Sequence, residues 1–126
     1  MTKILVVDDE PDVKPLFQQR FRKEIKEQGI DFQFALSGEE ALKILSDAKS
    51  EIVLILSDIN MPGMSGLELL KKIRHDYENP PPMIMMITAY GDEENHSQAM
   101  RFGANDFLTK PIDFPLLKEK IKSFIS

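Results

Sequence analysis

Cysteine is absent from the 126 residues, which excludes disulfides, thiolate catalysis and cysteine-ligated zinc or iron–sulfur centres. Basic residues are the minority: 16 Lys and Arg against 21 Asp and Glu leave a net charge of −5, without the basic excess that nucleic acid or anionic lipid calls for. No apolar run approaches the roughly 20 residues of a membrane helix. The N-terminal stretch Met1 to Asp8 is too short in apolar residues for a signal peptide and turns acidic at once. These absences leave a soluble domain, expected to be cytoplasmic and to span residues 1–126 as one unit, with no direct nucleic-acid or membrane partner. A chain of this length hides about two-thirds of its unfolded surface and needs no covalent or metal staple.

Short apolar runs recur at regular intervals. Ile4 to Val7, Phe32 to Leu36, Ile52 to Leu56, Met83 to Ile87 and the short Phe107-Leu108 are the predicted strands. Their apolarity is mostly continuous rather than alternating, the pattern of strands covered on both faces. Between them lie helix-period segments. Val13, Leu16, Phe17, Phe21 and Ile25 share one stripe, ending at Gly29. Ser37 with Glu40 and Ser65 with Glu68 read as capping boxes opening the second and third helices. Asp92 is the predicted cap of a fourth helix that Gly103 ends, and Pro115 opens a fifth carrying Leu116, Leu117, Ile121 and Phe124. Pro80-Pro81-Pro82 reads as a stiff loop into the fourth strand. The alternation predicts an α/β three-layer sandwich with right-handed crossovers.

Ligands of an open parallel sheet bind outside the carboxyl ends of its strands. Asp8, Asp9 and Glu10 follow the first run, Ser57 and Asp58 the third, Thr88 and Ala89 the fourth, and Thr109, Lys110 and Pro111 the fifth. Taken singly these residues are bland: Glu10 and Asp12 as helix-start acids, Asp58 as loop punctuation, Lys110 as a solvated amine. Together they place carboxylates, a hydroxyl and an ammonium on one edge. Like charges about 4 Å apart repel by roughly 1–4 kcal/mol per pair, depending on the local dielectric, so such a cluster calls for a cation. Oxygen-only ligands favour a hard ion, and few, scattered acids favour Mg²⁺ over calcium.

Asp8-Asp9, Asp58 with Met61-Pro62-Gly63-Met64-Ser65-Gly66, Thr88-Ala89 and Lys110-Pro111, in that order over essentially the whole chain, resemble the receiver domain of two-component response regulators. The resemblance implies a flavodoxin-like five-stranded parallel sheet, order 2-1-3-4-5, with five helices. It implies that Asp58 accepts a phosphoryl group from a phosphohistidine donor. Asp8, Asp9, Asp58 and the Asn60 backbone carbonyl would hold Mg²⁺, Lys110 would pair with Asp58 and then with a phosphoryl oxygen, and Thr88 would move its hydroxyl onto another. It names Phe107 as the switch aromatic, where the plain alternative is an ordinary core ring, and it implies a cis Lys110–Pro111 bond. Asn60 and Tyr90, two residues after Asp58 and Thr88, are the expected tuning positions on the water path, with bulky Tyr90 slowing self-dephosphorylation.

A metal-dependent phosphatase of the haloacid-dehalogenase type also combines Asp, Mg²⁺, Thr and Lys, but that class places its nucleophile after the first strand with a second Asp two residues on. Here Asp8 and Asp9 are adjacent. The expected partners are a sensor histidine kinase or histidine phosphotransfer protein near the first helix, and an effector on the face of the fourth helix, fifth strand and fifth helix. A phosphorylation-dependent homodimer is a further candidate. Lys118, Glu119, Lys120 and Lys122 give the last helix a mixed charge that suits a dimer face or, more simply, a solvated one. His75 and His96 lack the surroundings of a phosphodonor.

Overall fold

The computed structural model describes residues 2–47, 51–76, 82–89 and 92–125. Its five strands, β1 (Thr2–Val7), β2 (Ile30–Ala35), β3 (Ile52–Asp58), β4 (Met83–Thr88) and β5 (Asp106–Thr109), pair in parallel in the order β2-β1-β3-β4-β5. Between and after them run α1 (Val13–Arg20), α2 (Arg22–Gln28), α3 (Gly38–Ser46), α4 (Gly66–Asp76), α5 (Glu93–Arg101) and α6 (Phe114–Ile125).

Side chains alternate across the sheet and divide the core in two. Leu5, Val7, Ile55, Ile84 and Met86 face one layer with Ala41, Leu69, Leu70, Ile73 and Ala99 from α3, α4 and α5. Ile4, Val6, Leu54, Leu56, Met85, Ile87 and Leu108 face the other with Phe17, Leu117 and Ile121 from α1 and α6. Phe17 and Phe21 meet Phe32 and Phe114 there, with ring centroids 4.9–6.1 Å apart. Both faces being covered is why these strands read as unbroken apolar runs.

Six helical segments are present among the described residues where five were expected. The apolar stripe from Val13 to Ile25 is continuous, but Phe21 adopts φ −106°, ψ 18° and divides it. Its N–H still bonds to the Phe17 carbonyl and its own carbonyl accepts from Ile25, so the stripe stays aligned across the break. Gly29 ends α2 in the left-handed region at φ 68°, where other residues are strained. The Ser37 hydroxyl accepts from the Glu40 N–H at 3.0 Å and the Ser65 hydroxyl from the Glu68 N–H at 3.2 Å. Asp92 caps α5 through the Asn95 N–H.

Several details differ from the expected pattern. Glu40 reaches back to Leu36 N–H rather than to that of Ser37. Asp12 precedes α1 without a side-chain cap bond, because the Lys14 N–H goes to the Pro11 carbonyl and Pro15 has no N–H to offer. α6 opens one residue before Pro115, capped by Asp113, whose carboxylate accepts from Leu116. β3 runs two residues past Leu56, since Ser57 and Asp58 still pair with β1 or β4. A register irregularity between β1 and β3 sets Val53 outside the pairing, which leaves it exposed. The α6 charges are also not simply solvated: Lys118 reaches Glu24 at 3.2 Å and Lys120 reaches Asp106 at 2.6 Å. Pro80 and Pro81 lie outside the described residues.

Candidate functional site

The sheet ladders continue one step beyond the strands and fix the polar edge. Asp8 N–H bonds to the Ala35 carbonyl, Ile59 N–H to Ile87, and Lys110 N–H to Thr88, at 2.8–3.1 Å. β3 lies between β1 and β4, so its last residue, Asp58, is flanked by Asp8 on one side and Thr88 on the other. The Lys110–Pro111 peptide is cis.

Carboxylate oxygens of Asp8, Asp9 and Asp58 lie within 4.8 Å of one another. Asp8 and Asp58 are only 5% and 4% exposed, and Asp9 is more open to solvent. Lys110 answers this charge: its Nζ sits 2.6 Å from Asp58 Oδ2 and 3.8 Å from Asp8 Oδ2. The other Asp58 oxygen accepts from the Asn60 N–H at 3.2 Å, and Asp8 Oδ1 accepts from the Glu10 N–H at 3.0 Å. Burial pushes the Asp8 carboxyl above its ordinary value. The Glu10 N–H and Lys110 oppose that shift, while Asp58 and Asp9 add to it. For Lys110, burial is the largest single influence and lowers the amine, but the hydrogen bond and charge of Asp58, with Asp8 and Glu10, outweigh it and raise the amine overall.

This donor set is chemically suited to a hard divalent ion: three carboxylates, no nitrogen or sulfur ligand, and one amine to balance them. Excess negative charge held in place by the fold is itself a driving force for cation binding. The arrangement leaves the Asp58 carboxylate beside both a cation site and an ammonium, the components phosphoryl transfer to oxygen requires.

Thr88 is buried beside this edge, and its hydroxyl donates to the Leu108 carbonyl at 3.3 Å. Phe107 stands opposite Met86 on β5 and packs against His96 of α5 rather than within the core. Of the expected site residues, Asp8, Asp9, Asp58, Asn60 and Lys110 therefore meet at one edge, with Thr88 behind them and Phe107 further along β5. Tyr90 lies outside the described residues.

Three contacts at the site carry no periodic pattern in the sequence. The Ser57 hydroxyl donates to the Asp58 carbonyl at 3.0 Å. Gly66 N–H bonds to the Ile59 carbonyl at 2.8 Å, bringing the start of α4 against the backbone of the acidic strand end. His96 meets Phe107 across the gap between α5 and the sheet. Only Gly66 could have been found, through its place at the end of the Met61-to-Gly66 segment.

The family model for the response regulator receiver domain matches residues 4–122. Response regulator protein PilR of Pseudomonas aeruginosa is 37% identical over 119 residues, which is 94% of this chain and 25% of PilR. The chain thus spans about a quarter of that relative. An uncharacterized 14.6 kDa protein of Leptolyngbya boryana is 38% identical over 110 residues, covering 87% of this chain and 79% of that protein. Among solved structures, the response regulator protein TrrA of Thermotoga maritima, in complex with Mg²⁺–BeF, superposes with a TM-score of 0.78 at 35% identity, covering 99% of this chain and all of TrrA. The haloacid-dehalogenase-type alternative finds no support in these likenesses. From matched residues, strand order and likeness together, the chain belongs to the response regulator receiver domain family.

Proposed function

We propose that the chain, as one receiver domain over residues 1–126, is a phosphorylation-dependent switch in which Asp58 accepts a phosphoryl group from a phosphohistidine. The observation that carries this reading is the Lys110 amine, 2.6 Å from Asp58 Oδ2 inside a triad of acids. The bond from phosphorus to the donor nitrogen breaks as a bond to a carboxylate oxygen of Asp58 forms. Asp58 needs no separate base, because a carboxylate is ionised at neutral pH. Asp8, Asp9, Asp58 and the Asn60 backbone carbonyl would hold Mg²⁺, which supplies charge neutralisation of the phosphoryl oxygens. That TrrA was captured with Mg²⁺–BeF supports this choice of ion.

Lys110 is poised to transfer its hydrogen bond from Asp58 to a phosphoryl oxygen. Thr88 would exchange the Leu108 carbonyl for another phosphoryl oxygen, and Phe107 would follow by reorienting. Asn60, two residues after Asp58, is assigned to the path of the hydrolytic water. Slow self-dephosphorylation is expected from the sequence position of Tyr90, two residues after Thr88, and Tyr90→Ala tests it by the decay of the phosphorylated protein. A histidine kinase or phosphotransfer protein docks by α1 and the acidic edge. An effector, or a second phosphorylated copy, reads the α5–β5–α6 face, where Met100 and Leu116 are exposed. Such a role belongs in the cytoplasm; among the described residues no helix is long and apolar enough to cross a membrane.

Incubation with acetyl phosphate and Mg²⁺ followed by intact-mass measurement tests the reading. One added phosphoryl group, abolished in Asp58→Asn, is expected. Release of free phosphate at catalytic rates, or no mass change, would overturn it.

A further inference from the structure

We infer that His96 is the positioning residue that latches Phe107 in its resting orientation, so that switching requires this ring pair to part. The inference rests on Asp58 being the phosphoacceptor and goes beyond it by naming what the switch must break. The His96 and Phe107 rings lie 3.4 Å apart between centroids with planes inclined by 38°. Both residues are half-buried.

Strand alternation explains why the rings meet. Leu108 turns into the layer under α1 and α6, so its neighbour Phe107 emerges on the opposite face, the one α5 covers. α5 fully buries only Ala99, so it has little else to fix its distance from the sheet. Phenylalanine has no hydroxyl with which to secure an outward position, so ring contact is what holds it. The coupling to the acidic edge is one residue long: the Thr88 hydroxyl holds the Leu108 carbonyl, immediately after Phe107. When Thr88 lets go of that carbonyl, space and strand constraint change together at Phe107, and an inward turn of the ring strips it from His96.

The chain offers a clean readout because it has two histidines, and His75, at the end of α4, has a side chain 88% exposed. In NMR spectra of the full chain, ring current from Phe107 displaces the His96 imidazole C–H resonances relative to those of His75. Phe107→Ala collapses that displacement. Phosphorylation with acetyl phosphate and Mg²⁺ moves His96 toward its position in Phe107→Ala while His75 stays put. His96→Ala, which lies outside the acidic edge, removes the latch and accelerates phosphorylation by roughly two- to tenfold, the weight of one ring pair.

His96 resonances indifferent to Phe107→Ala overturn the latch outright. So do resonances unmoved in protein whose mass shows the phosphoryl group on Asp58, and so does His96→Ala phosphorylating no faster than wild type. Failure to gain mass at Asp58 instead overturns the phosphoacceptor reading, and the resting comparison with Phe107→Ala still decides whether the ring pair exists.

Discussion

Gly66 lies directly against the backbone of Asp58. A Cβ built on Gly66 would overlap the Asp58 carbonyl oxygen, and would stand 2.7 Å from Ile59 Cα and 2.9 Å from the Asp58 carbonyl carbon. The first turn of α4 and the end of β3 share space that admits no side chain.

Gly66→Ala therefore forces apart two backbones, neither of which can give way like a flexible side chain. Overpacking of this kind typically costs about 1–3 kcal/mol. The expected result is a lower denaturation midpoint together with slower phosphorylation by acetyl phosphate, because Asp58 is displaced from Lys110. Urea unfolding and intact mass measure the two effects. Wild-type values for both would show that the contact is not restrictive.

Neutralising Asp8 is expected to stabilise the metal-free protein. Burial raises the Asp8 carboxyl above its ordinary 3.8, so the native state binds its proton more tightly than the unfolded chain does. Ionised Asp8 thus costs stability at neutral pH, and the cost fades as pH falls through the raised value. Asp8→Asn removes it, with a gain on the order of 1 kcal/mol, first because no charge is then buried and second because repulsion from Asp58 and Asp9 is relieved. Thermal melts at pH 7 and pH 4 check the sign: the advantage of the variant is largest at pH 7 and shrinks on acidification.

Magnesium is expected to act on the same charge from the other side. If the acids hold the ion, its addition raises the melting temperature by simple linkage, about 2.7 kcal/mol at a hundredfold excess over Kd. The gain falls sharply in Asp9→Asn. A melting temperature independent of millimolar Mg²⁺ would remove the metal from the account of this site.

Much of this edge was legible because a buried parallel sheet leaves so clear a mark. Ile4 to Val7 and Ile52 to Leu56 are apolar on both faces, so the first charged residue after each had to lie at a rim, and Asp8 and Asp58 are there. Helix starts were legible through Ser37, Ser65 and Asp92, whose side chains bond locally. What escaped was of two kinds. Phe21 interrupts its helix without disturbing the apolar stripe, and periodicity senses only the stripe. Lys118 with Glu24, Lys120 with Asp106, and His96 with Phe107 join residues 11–94 positions apart, where spacing carries no information.

Arg74 belongs to that second kind. Its guanidinium donates to the carbonyls of Gly103 and Pro82 and to Asn105 Oδ1 at 2.6–2.9 Å, joining α4 to the residues before β4 and β5. Burial lowers its pKa, yet a guanidinium stays charged at any ordinary pH. Arg74→Ala takes this donor from the Gly103 and Pro82 carbonyls, while Asn105 Oδ1 keeps the Ile84 N–H, and is expected to cost about 1–3 kcal/mol. Arg74→Lys recovers little, because an ammonium cannot span the fork. Urea unfolding measures both, and a lysine variant as stable as wild type would contradict the geometric argument.

The Lys110–Asp58 pair predicts an alkaline limit. The amine is raised above its ordinary 10.5, so the native state holds this proton more tightly than the unfolded chain. Its contribution is complete below 10.5 and is lost as pH rises through the raised value. At neutral pH, Lys110→Met leaves Asp58 buried beside Asp8 with no ammonium. The expected loss is about 1–3 kcal/mol, less than the 3–5 typical of a buried pair, because the Lys110 side chain is 38% exposed and water screens it. Asp58→Asn in the same chain recovers part of that loss by removing the uncompensated charge. A double-mutant cycle by urea unfolding at pH 7.5 gives the coupling. A coupling near zero would mean that the 2.6 Å contact contributes nothing to stability and that Lys110 matters only once phosphorus arrives.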